Sequence, residues 1–158
     1  MKTREELSFE GVLLLGWIVP PWFSKQSDGC SAPGGRLGKW LAKTKIAVNA
    51  CYIHDFDYYL NAIQWKPKTP GWVGDRMQAD YRLRINRRLV GKNKVFGWIY
   101  SRAYFRLVRL GGRYAMKRPG ELVIPPSIEA IDDLEQFLHR PLTKQARVLL
   151  NVWRSKRE

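Results

Sequence analysis

Apolar residues fall into blocks separated by glycine, proline and charge, and the spacing inside each block predicts its conformation. In residues 8–23, Val12, Leu14 and the run from Trp17 to Val19 are β-prone, and Pro20-Pro21 ends the run. A short strand pair or hairpin is expected there, since proline cannot donate to a ladder. Residues 24–38 contain Ser27-Asp-Gly-Cys-Ser-Ala-Pro-Gly-Gly35, dense in turn formers, and read as a loop. From about Lys43 to Ile63, Ile46, Ala47, Ala50, Ile53 and Tyr58 fall near helical spacing, and the two prolines of residues 64–71 break that helix. A second helix is expected from about Val73 to Leu89, where Met77, Tyr81, Ile85 and Leu89 recur every four residues and Gly91 supplies the stop. A third covers about Val95 to Leu110, with Gly111-Gly112 as its stop. After a Pro/Gly-containing connection over 113–126, Ser127 caps a short acidic helix from Ile128 to Leu138, and Thr143 caps a final basic helix towards Trp153. The expected class is mainly α with a small N-terminal β element.

The chain has 158 residues, which suits one domain: a core over residues 1–120 and a C-terminal helical extension over 121–158 packed on it. Hydrophobic residues make up 45% and aromatics 13%, enough for a core, which excludes a wholly disordered chain. Lys and Arg number 28 against 14 Asp and Glu, a net charge of +14 that attracts nucleic acid, anionic lipid or acidic protein without choosing among them. The most apolar stretch, Gly11 to Pro20, is far shorter than the roughly 20 residues that span a bilayer. Residues Met1 to Glu10 carry three Glu against one Lys and one Arg. A secretory signal needs a positive n-region and a small-residue cleavage site. The expectation is therefore no signal peptide and no transmembrane segment, with synthesis in a cytoplasm and access to a membrane after lysis or inside a particle. The cysteines, Cys30 and Cys51, suit either one disulfide or two buried thiols.

The chemistry concentrates in Cys51-Tyr-Ile-His54-Asp55-Phe-Asp-Tyr58. His54 and Asp55 are neighbours on a helix, so they point about 100° apart and can serve one site as base and metal ligand. Tyr58 lies one turn on, on the face of His54. A histidine base needs a group that fixes its tautomer and stabilises its charged form. Asp80 is the candidate: it lies about as far into the second helix as His54 lies from the end of the first, so an antiparallel pair brings them level. Tyr58 can hold Asp80 from the same side. Asp75 is a weaker candidate. Calcium takes six to eight oxygens, many from carbonyls of a flexible turn. Asp28-Gly29 can supply a carboxylate and carbonyls, and Asp55 a further carboxylate.

Asp28-Gly-Cys-Ser31 followed by Cys51-x-x-His54-Asp55-Phe56-x-Tyr58 resembles the prokaryotic and fungal secreted branch of phospholipase A2. The resemblance implies a phospholipase A2-like fold and calcium-dependent hydrolysis of phospholipid esters. It makes His54 the general base, Asp80 its partner and Tyr58 the hydroxyl supporting the aspartate. Asp28 and Asp55 become calcium carboxylates, with carbonyls near Gly29, and Cys30 and Cys51 a disulfide. Such a bridge would close a loop of about 20 residues, worth roughly 3 kcal/mol. A broader pattern, Gly16-Trp-Ile-Val-Pro-Pro, Asp28-Gly-x-Ser-x-Pro33, His54-Asp-x-x-Tyr58, Ala79-Asp80 and Tyr104-x-x-x-Val108-Arg-x-Gly-Gly112, resembles a phage-borne family of unknown function and implies a bacteriophage or prophage origin. The chain departs from the lipase pattern in having at most one disulfide and in its extension past about residue 120.

Arg102, Arg106, Arg109, Arg113 and Lys117 recur at helical spacing among Trp98, Tyr100, Tyr104 and Phe105. Such a stripe suits an anionic phospholipid membrane, nucleic-acid phosphates, or a solvated face over an aromatic core. Arg82, Arg84, Arg87 and Arg88 form a second basic group with the same choices. Three readings follow: a calcium-dependent lipid esterase at a host membrane, a non-catalytic phage virion or accessory protein contacting other phage proteins, and a nucleic-acid-binding module. The last rests on charge alone, since the chain has neither zinc-ligand spacing nor a phosphate-binding glycine loop.

Overall fold

A computed structural model of the chain describes residues 6–9, 12–25, 27, 45–64, 70–90, 94–115, 124–137 and 144–158. Strands β1 (Glu6–Phe9) and β2 (Val12–Leu15) pair antiparallel, with Phe9 opposite Val12 and Glu6 opposite Leu15. The expected hairpin is present but ends at Leu15. Gly16 then turns the chain away at a φ of +139°. A Cβ at that position would collide with Ile53 Cγ2, so both conformation and space require glycine. Helix α1 (Pro21–Ser24) occupies the end of the run expected to be extended. Pro20 is extended and Pro21 opens the helical turn, where its ring presets φ and its missing N–H is not needed.

The rest of the described chain is helical: α2 (Lys45–Gln64), α3 (Pro70–Val90), α4 (Lys94–Ala115), α5 (Ile128–Phe137) and α6 (Lys144–Ser155). Ser127 starts α5 as expected, its Oγ accepting the Ala130 N–H at 3.2 Å. Helix α4 runs through Gly111-Gly112 to Ala115, where the sequence predicts a stop. A glycine inside a helix costs only about 1 kcal/mol, and the first proline beyond is Pro119. Thr143 and the break at 65–69 lie outside the described residues.

Among the described residues, α2 contributes to the core on two sides. One side carries Ala50 and Cys51, which pack with Leu83 of α3 and with Tyr104 and Val108 of α4. The other carries Phe56, Tyr59, Leu60 and Ile63, which pack with Phe23 of α1, Ile131 and Leu134 of α5, and Leu150 and Trp153 of α6. The described helices of the C-terminal extension thus share a core with the helix that bears His54. Burial on both sides leaves α2 without a single apolar stripe.

Helix α3 is inverted relative to its apolar pattern. Met77, Tyr81 and Leu89, which mark the helix in the sequence, are 55%, 53% and 47% exposed. The buried side carries Arg76, Ala79, Asp80, Leu83, Asn86 and Arg87. Polar groups survive burial where each finds a partner. Asn86 does so against the end of β2, its Nδ2 donating to the Leu15 carbonyl at 2.5 Å and its Oδ1 accepting the Leu15 N–H at 2.8 Å. Arg87 lies 3.9 Å above the Tyr104 ring. Among the described residues no helix is long and apolar enough to cross a membrane.

Candidate active site

His54 sits on the α3-facing side of α2, buried. Its Nε2 lies 2.9 Å from Oδ1 of Asp80, which is fully buried on α3. The antiparallel pairing of the two helices brings these residues level, as their positions in the sequence predict. Tyr58, one turn after His54, donates its hydroxyl to the same Oδ1 at 2.5 Å. Arg109 of α4 donates from Nη1 to Asp80 Oδ2 at 2.9 Å. The carboxylate is therefore held through both oxygens, from two helices.

The other imidazole nitrogen, Nδ1, faces Asp55, whose Oδ1 is 3.8 Å away. The Asp55 side chain is 29% exposed. The Ser27 hydroxyl donates to Asp55 Oδ2 at 2.5 Å. Ser27 immediately precedes Asp28 in the sequence. Asp28, Gly29 and Cys30 lie outside the described residues, as does the side chain of Asp75. Cys51 is disulfide-bonded. Among the described residues no group of three His, Cys, Asp or Glu side chains is placed to hold a metal. The partly exposed Asp55 carboxylate with the Ser27 hydroxyl against it is oxygen chemistry of the kind a hard cation takes.

The electrostatics of the trio are coupled. Burial pulls the His54 pKa down, but the neighbouring Asp55 and Asp80 carboxylates outweigh it and raise the value above that of a free histidine. Burial pushes Asp80 up, but hydrogen bonds from His54, Tyr58 and Arg109 outweigh that and hold it below the usual carboxylate range. Burial, then the bond to Asp80, pushes Tyr58 far above an ordinary phenol, so it stays protonated and donates. An ionised Asp80 only accepts hydrogen bonds, so a neutral His54 must place its proton on Nε2. That leaves the Nδ1 lone pair on the Asp55 side, free to accept a proton from a water.

Two participants escape the sequence reading. Arg109 is expected on a basic surface stripe, but it reaches inward to Asp80; nothing in its spacing distinguishes it from Arg102 or Arg106, both exposed. Asp57, 1% exposed, accepts from Arg82 Nε at 2.9 Å and Nη2 at 2.6 Å, and from the Trp17 indole N–H. The second basic group is thereby divided. Arg82 is paired, Arg87 is buried, Arg84 lies near the rings of Tyr81 and Phe105, and Arg88 is exposed. Arg102 remains on the surface 4.2 Å above the Trp98 ring, and the Arg113 side chain lies outside the described residues. Searches against protein-family models, curated proteins and solved structures find no match for the chain.

Proposed function

We propose that this chain is a calcium-dependent hydrolase of phospholipid ester bonds, with a phospholipase A2-like fold and a bacteriophage or prophage origin. One observation carries the reading: a buried histidine bonded through Nε2 to a buried carboxylate at 2.9 Å, with Nδ1 turned to a partly exposed aspartate. In this reading His54 takes a proton from a water through Nδ1, and that water attacks the ester carbonyl. Asp80 stabilises the imidazolium that forms, and Tyr58 keeps Asp80 in place. His54 then returns the proton to the leaving alkoxide, releasing a fatty acid and a lysophospholipid. Asp55, with Asp28 and carbonyls near Gly29, would hold calcium, which when bound supplies Lewis-acid stabilisation of charge on the ester oxygen.

An anionic lipid surface is the proposed partner, and the outward faces of α3 and α4 support it. Met77, Tyr81 and Leu89 are exposed beside Arg88, and Val95, Trp98 and Ile99 are exposed beside Arg102 and Arg106. Basic side chains interleaved with large apolar ones suit a charged bilayer interface. A phosphate grip on nucleic acid uses the arginines but gives the aliphatic side chains no role.

The test is fatty-acid release from anionic phospholipid vesicles, with calcium and with a chelator, by the wild type and by His54→Ala. Release that needs calcium and is lost in the variant is expected. No release by folded, oxidised protein on several lipids would overturn the reading in favour of a non-catalytic phage component.

A further inference from the structure

We infer that Arg109 is a positioning residue of the site: it fixes the second oxygen of Asp80 and so keeps the first on His54. The inference rests on the reading of His54 as base. It adds a group from α4, outside the motifs that supply the histidine, aspartate and tyrosine.

The terminal torsion of an aspartate is broad and two-fold, so its oxygens exchange easily unless both are held. His54 Nε2 and Tyr58 Oη converge on Oδ1, which leaves Oδ2 to be satisfied from elsewhere. Asp80 is fully buried, so water is a poor substitute. Arg109 Nη1 fills the vacancy at 2.9 Å, and its side chain is only 27% exposed.

Among the described residues, the charged and titratable groups around Asp80 are His54 and Tyr58 from α2, Arg76 one turn earlier on α3, and Arg109 from α4. Arg76 does not take over Oδ2: it is buried, and among the described residues its Nε has no hydrogen-bond partner. With Arg109 in place, carboxylate and guanidinium cancel in charge, while Oδ1 still orients the imidazole.

The experiment compares wild type, Arg109→Met, Arg109→Lys, Asp80→Asn and the double variant Arg109→Met/Asp80→Asn. Four quantities are read: kcat and KM on anionic phospholipid vesicles with calcium, the low-field proton resonance of the hydrogen-bonded His54 Nε2–H, and the thermal midpoint, which checks that each variant folds. Arg109→Met is expected to lower kcat about 10–100-fold, the range for partners that orient a working group, with KM little changed. Arg109→Lys should recover most of that loss. The double variant should lose no more than Asp80→Asn alone, because Arg109 acts only through Asp80. The low-field resonance should shift or broaden in Arg109→Met and return in Arg109→Lys. Should Arg109→Met not fold, Arg109→Gln serves in its place with the same expected loss.

Losses that multiply in the double variant, or a resonance unaltered by loss of the guanidinium, would overturn the inference. The resonance needs no turnover. If it responds while the wild type releases no fatty acid, the positioning role stands and the hydrolase reading falls.

Discussion

Replacing Arg82 with methionine isolates the buried ion pair beneath the site. Asp57 is 1% exposed and takes two hydrogen bonds from Arg82, at 2.9 and 2.6 Å, plus one from the Trp17 indole. Burial already pushes the Asp57 pKa up, and Arg82 is the main opposing influence. Removing one partner of a buried pair costs about 3–5 kcal/mol, because the other charge is left without compensation. The Arg82 side chain is 32% exposed, so solvent weakens the pair. About 2–3 kcal/mol is therefore the expected loss at neutral pH. With a urea slope near 2 kcal/mol/M, the unfolding midpoint should fall by about 1 M.

The sign of the pH dependence follows from the same carboxylate. In the variant the folded-state pKa of Asp57 lies above its unfolded value, so between the two the folded protein holds more protons. Stability then falls as pH rises through that window, and the loss is complete above it. Urea unfolding at pH 7 and pH 5 should thus show a smaller loss at the lower pH. Asp57→Asn in the Arg82→Met background removes the uncompensated charge, keeps an acceptor for Trp17, and should recover part of the stability. An Arg82→Met midpoint within about 0.3 M of wild type at pH 7, or a loss that grows on acidification, would refute the argument.

Two further predictions concern the site and the core. The raised His54 pKa makes its contribution complete below its ordinary value of 6.5 and lost as pH rises through the folded value. With chelator present, the stability gap between wild type and His54→Gln should therefore narrow from pH 6 to pH 8, and a widening gap counts against the His54–Asp80 bond. Leu150→Ala in α6 empties a fully buried position against α2 and should cost about 2–5 kcal/mol in one cooperative thermal transition. A cost below about 1 kcal/mol, or a separate early transition of the C-terminal helices, would show that α6 is not integral to the core.

The site was legible in part because two of its contacts depend on local geometry. Tyr58 shares a face with His54 by helical spacing alone, and the short connection between α2 and α3 brings Asp80 level with both. Arg109 and Arg82 were not legible. An arginine that serves a buried carboxylate and one that faces solvent have the same period, and only the opposing helix separates them.

The sequence by itself determined where the five longer helices begin to within a few residues, that a hairpin precedes them, and that His54, Tyr58 and Asp80 belong together. These follow from backbone preferences and spacing within one or two neighbouring elements. Tertiary structure alone decided that α3 buries Asp80, Asn86 and Arg87 and leaves Met77, Tyr81 and Leu89 outside. It also decided that α4 continues through Gly111-Gly112 to Ala115, and that α5 and α6 close the core behind α2. The physical reason is that a polar side chain is stable in the interior only if its partners arrive from elsewhere in the chain. Asp80 meets a histidine and a tyrosine of α2 and an arginine of α4, and that meeting turns the apolar stripe of α3 outward.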